Sequence, residues 1–426
     1  SVLMLPWLAH GHLSPFLELA KRLNNRNFHI YLCSTPINLN SIRENLSQKY
    51  SLSIQLVELH LPSMPELPPH LHTTNGLPPH LMPTLKKAFD MSIHSFSNIL
   101  ETLNPDLLIY DFLQPWARAI ASSLDIPAVE FLSTGAATTC FIIHASRNPG
   151  TEFPFPAIYL RDYETDNFNH LLGNKNLTEG CNDRSFGIIL IKSFKEIEAK
   201  YLDYLSASTN KKIVPVGSLV RDPFDEYNEK MKIFEEWLDK KEQSSTVFVS
   251  FGSEYFLSMG EIKEVALGLE LSKVLVVRFP MGEKISIEEA LPNGFLERVG
   301  ERGTVVEGWA PQARILSHSS IGGFVGHCGW SSVMESMKFG VPTIAMPMHL
   351  DQPFNARLVE EVGVGIEVKR DKNGRLEREE VAKSIKEVVV GKVGEKVKEK
   401  AKELRNNMRY KEDKEIDGLV KELVQL

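Results

Sequence analysis

Apolar residues fall in short runs separated by stretches in which they recur every three or four positions. The runs VLMLP (2–6), FHIYLC (28–33), SIQLVEL (53–59), DLLIYD (106–111), PAVEF (127–131) and GIILIK (187–192) read as strands, with helical spacing between most of them. The alternation pauses near IVPVGSLVRDPFD (213–225). It restarts with TVFVSF (246–251), VLVVRF (274–279), TVVEGW (304–309), GGFVGH (322–327) and PTIAM (342–346). Alternation of this kind predicts α/β architecture with doubly wound parallel sheets, and the pause predicts a domain boundary, 1–222 against 223–409.

Local signals refine this outline. Ser14-Pro15 reads as the N-cap and first position of a helix whose apolar face is Phe16, Leu17, Leu19, Ala20 and Leu23. WLAHGH (7–12) then becomes a strand-to-helix loop, the kind that carries ligands at the carboxyl edge of a parallel sheet. Residues 60–83 hold seven prolines and cannot be a regular element; an ordered loop at a ligand mouth and a disordered excursion are the two readings. Only about two residues connect the helix at 261–271 to the strand at 274, the short end for such a loop. Residues 147–186 are irregular and polar. From 376 onward, Lys and Glu alternate around apolar residues at helical spacing, the pattern of solvated helix faces.

Composition narrows the function class. With 426 residues the chain can bury two cores, and 42% hydrophobic with 24% charged residues is an ordinary globular balance. A net charge of −7 offers no electrostatic case for nucleic acid or an anionic membrane. Cys33, Cys140, Cys181 and Cys328 are scattered without a CxxC pair, which argues against a disulfide framework or a zinc site and for a reducing, cytoplasmic setting. No apolar run reaches the roughly 18 residues of a membrane span, and SVLMLPWLA lacks the basic flank of a signal peptide.

Chemistry concentrates in WAPQARILSHSSIGGFVGHCGWSSVMESMKFGVPTIAMPMHLDQ (309–352). GGFVGHCGW closes a strand in a Gly-rich turn and SSVMESMKF starts a helix, an arrangement that binds anions at the helix N-terminus. Gly326 and Gly329 permit close backbone approach, and His327, Ser331 and Ser332 add donors. Taken alone, Ser332 and Glu335 read as a Ser-x-x-Glu capping box. In context, Trp309 offers a stacking face for a flat base, Gln312 an amide, and Asp351-Gln352 two groups suited to vicinal hydroxyls.

This stretch resembles the signature box of plant family 1 UDP-glycosyltransferases, small-molecule enzymes of the GT-B fold, in which two Rossmann-like α/β domains face each other across a cleft. The resemblance implies that Trp309 and Ala310 hold uracil, that Gln312 and Glu335 hold the ribose, and that His327, Gly329, Ser331 and Ser332 hold the diphosphate. Trp330, Asp351 and Gln352 would surround the sugar, with Ser253 completing the donor set. Ser331 stands where the family usually has Asn, a shorter group with one donor instead of two. A terminal Gln implies UDP-glucose. The resemblance further implies that residues 410–426 form a helix packing back on the first domain.

For proton transfer, histidine is the natural base near neutral pH, and His10 and His12 share one loop. His12 matches the family's catalytic histidine, with Asp111, at a strand end, matching the aspartate that holds its tautomer. On its residue type alone, Asp111 is equally a strand-end turn residue. Trp7, Phe112, Trp116, Phe131, Ser133, Thr134, Gly135 and His349 are candidates for the acceptor pocket, though the aromatics read equally well as core. The chain has no Asp-x-Asp, so no metal or other cofactor is expected. EFPFPAIYLRDYE, ILIKSFKEIEAKYLDYLS and KKIVPVG resemble the clade that extends a sugar already on a terpenoid or flavonoid. The implied activity is inverting glucosyl transfer by a monomer to a mogroside-type or flavonoid glycoside. Glucosylation of an aglycone, a UDP-sugar 2-epimerase and a non-catalytic UDP-sugar sensor are the alternatives.

Overall fold

Strands that are apolar on both faces must be covered on both, and the chain does this with two parallel sheets. A computed structural model describes residues 1–165, 168, 187–223, 229–252, 257–276, 289, 291–305 and 310–426. The chain forms two compact units. The first comprises Ser1–Thr151, Leu172–Arg221 and Tyr410–Leu426, and the second Glu152–Leu171 and Asp222–Arg409.

In the first unit, β1 (Val2–Leu5), β2 (Ile30–Ser34), β3 (Ile54–Glu58), β4 (Leu107–Asp111), β5 (Ala128–Leu132), β6 (Ile188–Ile191) and β7 (Lys212–Pro215) pair in parallel in the order β3-β2-β1-β4-β5-β6-β7. Successive side chains of β1 enter opposite cores. Val2 and Met4 pack with the His10–Asn24 helix, whereas Leu3 and Leu5 pack with Phe89, Phe96 and Leu100. Ile416, Leu419 and Leu423, from the end of the Lys392–Leu423 helix, complete the first of these cores.

The second unit pairs β12 (Gly365–Glu367), β11 (Thr343–Ala345), β10 (Ile321–Gly326), β8 (Thr246–Ser250) and β9 (Leu275–Val276) in that order, again in parallel. Val247, Val249 and Val325 face one core, and Phe248 and Phe324 stack in the other with centroids 5.6 Å apart.

Several expectations need correction. The first helix begins at His10, not after Ser14: Ala9 is its N-cap, and the Ala9 carbonyl accepts from His12 N–H (3.0 Å) and Leu13 N–H (2.8 Å). Pro15 therefore lies inside the helix, tolerated because near the N-terminus its ring removes one hydrogen bond without interrupting the ladder on both sides. Of the expected strand 304–309, Thr304 and Val305 are not in a strand and the remainder lies outside the described residues. Of VLVVRF, Leu275 and Val276 form β9, and 277–279 lie outside them. The short edge strands β7 and β12 carry too few alternating residues to have been read from sequence. Half of 147–186 also lies outside the described residues, but Glu152–Leu171 groups with the second unit and not, as the 222/223 boundary implied, with the first.

The proline-rich stretch is ordered. Two 3₁₀ turns, Pro69–Leu71 and Pro79–Leu81, are anchored by Leu67, Leu77 and Leu81 in the core, and Thr74 N–H reaches the Leu8 carbonyl at 3.2 Å. The tight connection before β9 is two residues long. It uses Lys273 in the left-handed region, φ 59°, as the helix C-cap.

Because Ile416 and Leu419 are fully buried in the first unit's core, replacing either by Ala is expected to cost about 2–5 kcal/mol, read as a lowered urea midpoint of the full chain.

Candidate active site

A doubly wound sheet opens a crevice at the carboxyl ends of the two strands between which winding reverses. In the first unit those strands are β1 and β4, and in the second β8 and β10. The sequence-predicted residues gather at both places.

At the end of β4, Asp111 is fully buried, and its Oδ1 accepts from Leu113 N–H at 3.1 Å. Its Oδ2 lies 2.6 Å from His12 Nδ1, where the helix that follows β1 begins. Ser133 Oγ, just beyond β5, is 3.0 Å from the same nitrogen, and the Phe112 ring lies 5.7 Å from the imidazole. With Nδ1 turned to a carboxylate, the tautomer carries its proton on Nδ1, and Nε2 is the basic position. His10 is exposed at the first residue of the helix. Next to Asp111, Glu130 on β5 is buried, and desolvation pushes its pKa up to about 7, against the pull of Lys211 and with the push of the Asp111 charge. Raising the Glu130 pKa weakens the second carboxylate charge beside Asp111 below about pH 7.

The other candidates of the first unit divide. Trp7 packs on Phe89, with centroids 5.6 Å apart, and Trp116 packs edge-on against Phe89 and Phe96 while its indole N–H donates to Asp90 at 3.0 Å. Phe131 is fully buried against Phe16 at 4.8 Å, so it belongs to the core and does not line a pocket. Thr134 Oγ1 pairs with Thr139 Oγ1 at 3.1 Å.

In the second unit, β10 ends at Gly326 and, after three intervening residues, the helix Trp330–Phe339 starts, with Gly329 as N-cap and no acidic residue in its first turn. His327 lies between two glycines. A Cβ on Gly252 (φ +77°) would stand 2.8 Å from its Cε1, and one on Gly329 would stand 2.7 Å from its Nε2. Desolvation, then the neighbouring His349, lowers the His327 pKa to about 4, which keeps the ring neutral, and its buried Nδ1 has no partner among the described residues. Cys328 takes φ +64°, and Asn355 holds this turn by donating to the Cys328 carbonyl (2.9 Å) and to Asp351 Oδ2 (2.8 Å).

The capping box does not form. Ser332 and Glu335 sit inside the helix instead, and both accept from Gln312 Nε2, at 2.9 Å and 2.5 Å, which unites the pair expected to grip a ribose. Ala310 is buried beside Gln312, and Ser331 is half-buried in the helix's first turn next to the buried Trp330. Asp351 is the N-cap of the Gln352–Val362 helix. Gln352 Oε1 accepts from Met348 N–H (3.0 Å) and His349 N–H (3.1 Å), while its Nε2 faces His349 Nδ1 at 3.5 Å. Trp309 and Ser253 lie outside the described residues.

Sequence reasoning missed Asn355 and Gly252 and assigned Ser133 only to the pocket. The i,i+4 spacing of Asp351 and Asn355 was the available signal for the first. No signal along the chain brings β5 to His12. Among the described residues no group of three or more His, Cys, Asp or Glu side chains is placed to hold a metal ion, and no helix is long and apolar enough to cross a membrane.

Two family models match the chain: one described as glycosyltransferase, N-terminal domain, over residues 1–221, and one described as UDP-glucoronosyl and UDP-glucosyl transferase, over 212–406. The chain is 57% identical over 436 residues to a mogroside IIIx synthase of Siraitia grosvenorii, covering 99% of this chain and 92% of that protein. It is 52% identical over 435 residues to a beta-D-glucosyl crocetin beta-1,6-glucosyltransferase of Gardenia jasminoides, covering 99% and 98%. Among solved structures, Glycyrrhiza uralensis UGT73P12 complexed with glycyrrhetinic acid 3-O-monoglucuronide matches with a TM-score of 0.86 at 23% identity, over 100% of this chain and 95% of that one.

A neutral native His327 gives the unfolded state the greater proton uptake below its ordinary pKa of 6.5. Its contribution to stability is therefore intact above that pH and lost as pH falls toward about 4. Replacing His327 with Gln is expected to flatten the acid limb of unfolding free energy against pH over this window, as measured by urea titration from pH 7 to 4.

Proposed function

The chain belongs to the plant UDP-glycosyltransferase family, and from that premise we propose that it moves glucose from UDP-glucose to a sugar hydroxyl of a terpenoid glycoside of the mogroside type. The observation that carries the catalytic assignment is the 2.6 Å pair between His12 Nδ1 and Asp111 Oδ2 at the carboxyl edge of the first sheet. His12 Nε2 takes the proton of the acceptor hydroxyl as its oxygen attacks the anomeric carbon. Asp111 stabilises the imidazolium that forms and keeps the ring in one tautomer.

Attack opposite the departing UDP inverts the anomeric centre. The bond from the anomeric carbon to the diphosphate oxygen breaks, and the charge left on UDP is met by the N-terminus of the Trp330–Phe339 helix together with Ser331, Ser332 and His327. Such preorganised donors serve in place of a metal ion, and the chain needs no cofactor beyond the donor sugar nucleotide. Gln312 and Glu335 hold the ribose, with Trp309 and Ala310 on the base and Ser253 at the diphosphate. Trp330, Asp351 and Gln352 hold the glucose. Phe112, Thr134 and His349 face the acceptor, with Trp7 and Trp116 supporting that wall from the aromatic core.

The acceptor class rests on the relatives: one acts by its name on a glucosyl crocetin, a substrate that already carries a sugar, and another is named for a mogroside product. A flavonoid glycoside is the second acceptor class, and an aglycone hydroxyl the third. None of the families and relatives described above is an epimerase. The chain acts as a monomer in the cytoplasm, in keeping with its scattered cysteines.

Replacing His12 with Ala is expected to reduce transfer by about 10²–10⁴-fold while the Kd for UDP stays within a few-fold, measured by product formation and by calorimetry. Equal loss of both would make His12 structural. Gln352→His is expected to erode glucose transfer relative to galactose in a competition between the two UDP-sugars, and an unchanged ratio overturns the donor assignment.

A further inference from the structure

Four charged side chains, three of them buried, form a network in the second unit that the proposed function leaves unused. Arg357, 2% exposed, donates through Nη2 to both oxygens of Glu164, each at 2.8 Å, and through Nη1 to the Pro353 carbonyl at 2.9 Å. Its Nη1 also lies 3.4 Å from Glu367 Oε2 on β12. Arg161 grips Glu367 with two donors, at 2.5 and 3.3 Å, and its backbone N–H reaches Glu164 at 2.8 Å. Arg161 and Glu164 lie on the EFPFPAIYLRDYE stretch. Tyr159, on the same stretch, places its ring 5.2 Å from the Arg357 guanidinium.

Burying three such charges is an inefficient way to stabilise a fold, since well-packed apolar groups do as well, whereas forked guanidinium–carboxylate bonds fix direction. What they fix here is the start of the Gln352–Val362 helix, which carries Asp351 and Gln352. In the loop before it, Met348 and His349 are half-buried and Leu350 is exposed. A cavity of about 160 Å³, lined in part by Tyr163, Phe168, Met348, His349 and Asn373, lies beside it. The loop's position depends on directed bonds: Arg370 Nη2 to the Pro347 carbonyl at 3.2 Å, and Met348 N–H and His349 N–H to Gln352 Oε1, on the helix that Arg357 ties to Glu164. The groups assigned to ribose and diphosphate stand on other elements, Gln312 on one helix and Ser332 and Glu335 on another.

We infer that Arg357, Glu164, Arg161 and Glu367 form a positioning clamp that sets the register of Asp351 and Gln352 against the donor's sugar, so that the clamp governs recognition of the hexose and not of UDP. The inference rests on the reading that Asp351 and Gln352 hold that sugar. It gives the EFPFPAIYLRDYE stretch a task on the donor side, and none of its four residues is a catalytic residue.

The test compares KM for UDP-glucose, kcat, and Kd for UDP alone in Arg357→Gln, Arg357→Lys, Arg161→Gln and Gln352→Ala. Arg357→Gln is expected to raise KM about tenfold with the Kd for UDP within twofold, and Arg357→Lys, which keeps the charge but loses the fork, is expected to recover part of the loss. Arg161 is 28% exposed at its side chain, so Arg161→Gln removes the outer rung in a chain that still folds and is expected to raise KM about threefold. Equal weakening of UDP and UDP-glucose in the clamp variants, or an unchanged KM in Arg161→Gln and Arg357→Lys alike, overturns the clamp while Gln352→Ala still raises KM. An unchanged KM in Gln352→Ala overturns the donor reading itself, and the clamp with it.

Discussion

A parallel sheet wound outward from its middle cannot close over the place where winding reverses, and everything this chain does is assembled around that geometric gap. In each unit the crossover helices leave the two central strands in opposite directions, so the residues just past their carboxyl ends are covered by neither. His12 and Asp111 come from β1 and β4, and Gly252 and His327 from β8 and β10, the two reversal points of the two sheets. Chain segments nearly a hundred residues apart thereby reach within a hydrogen bond of each other without any long loop.

The same gap dictates which residues can occupy it. Polar groups there are partly removed from water, so each needs a partner or a reason to lack one. Asp111 has two partners, one a backbone N–H and the other the imidazole that it orients. His327 is wedged so tightly between Gly252 and Gly329 that only hydrogen fits at those two Cα positions, and its Nδ1, without a partner among the described residues, is tolerable because desolvation keeps the ring neutral. Asn355 links the His327 turn to Asp351 through the Cys328 carbonyl and Asp351 Oδ2.

Gln352 shows how donor choice and loop geometry are entangled. Its carbonyl oxygen accepts two backbone N–H groups from the loop that precedes it, which leaves the amide nitrogen as the group with chemistry to offer a sugar. An imidazole has no oxygen with which to accept both. A change of residue at this position therefore alters the loop as well as the hydrogen-bonding group, with Arg370 on the Pro347 carbonyl as the loop's other support.

Alternation of apolar runs with helical spacing determined two parallel α/β units, because buried parallel strands must be apolar on both faces and a helix must cover each crossover. The 309–352 stretch likewise pointed to the family, through its resemblance to the signature box of plant family 1 UDP-glycosyltransferases. Local rules misjudged the details wherever two segments compete for one group. Ser14-Pro15 has the form of a helix start, yet the Ala9 carbonyl begins the helix earlier. Ser332 and Glu335 have the form of a capping box, yet Gln312 takes both side chains. Phe131 looked like a pocket wall and is core. Ser133 beside His12, and the Arg357 and Glu367 partners of Glu164 and Arg161, were decided by tertiary structure alone, because hydrogen bonds and ion pairs act over a few ångströms in space and carry no trace along the chain.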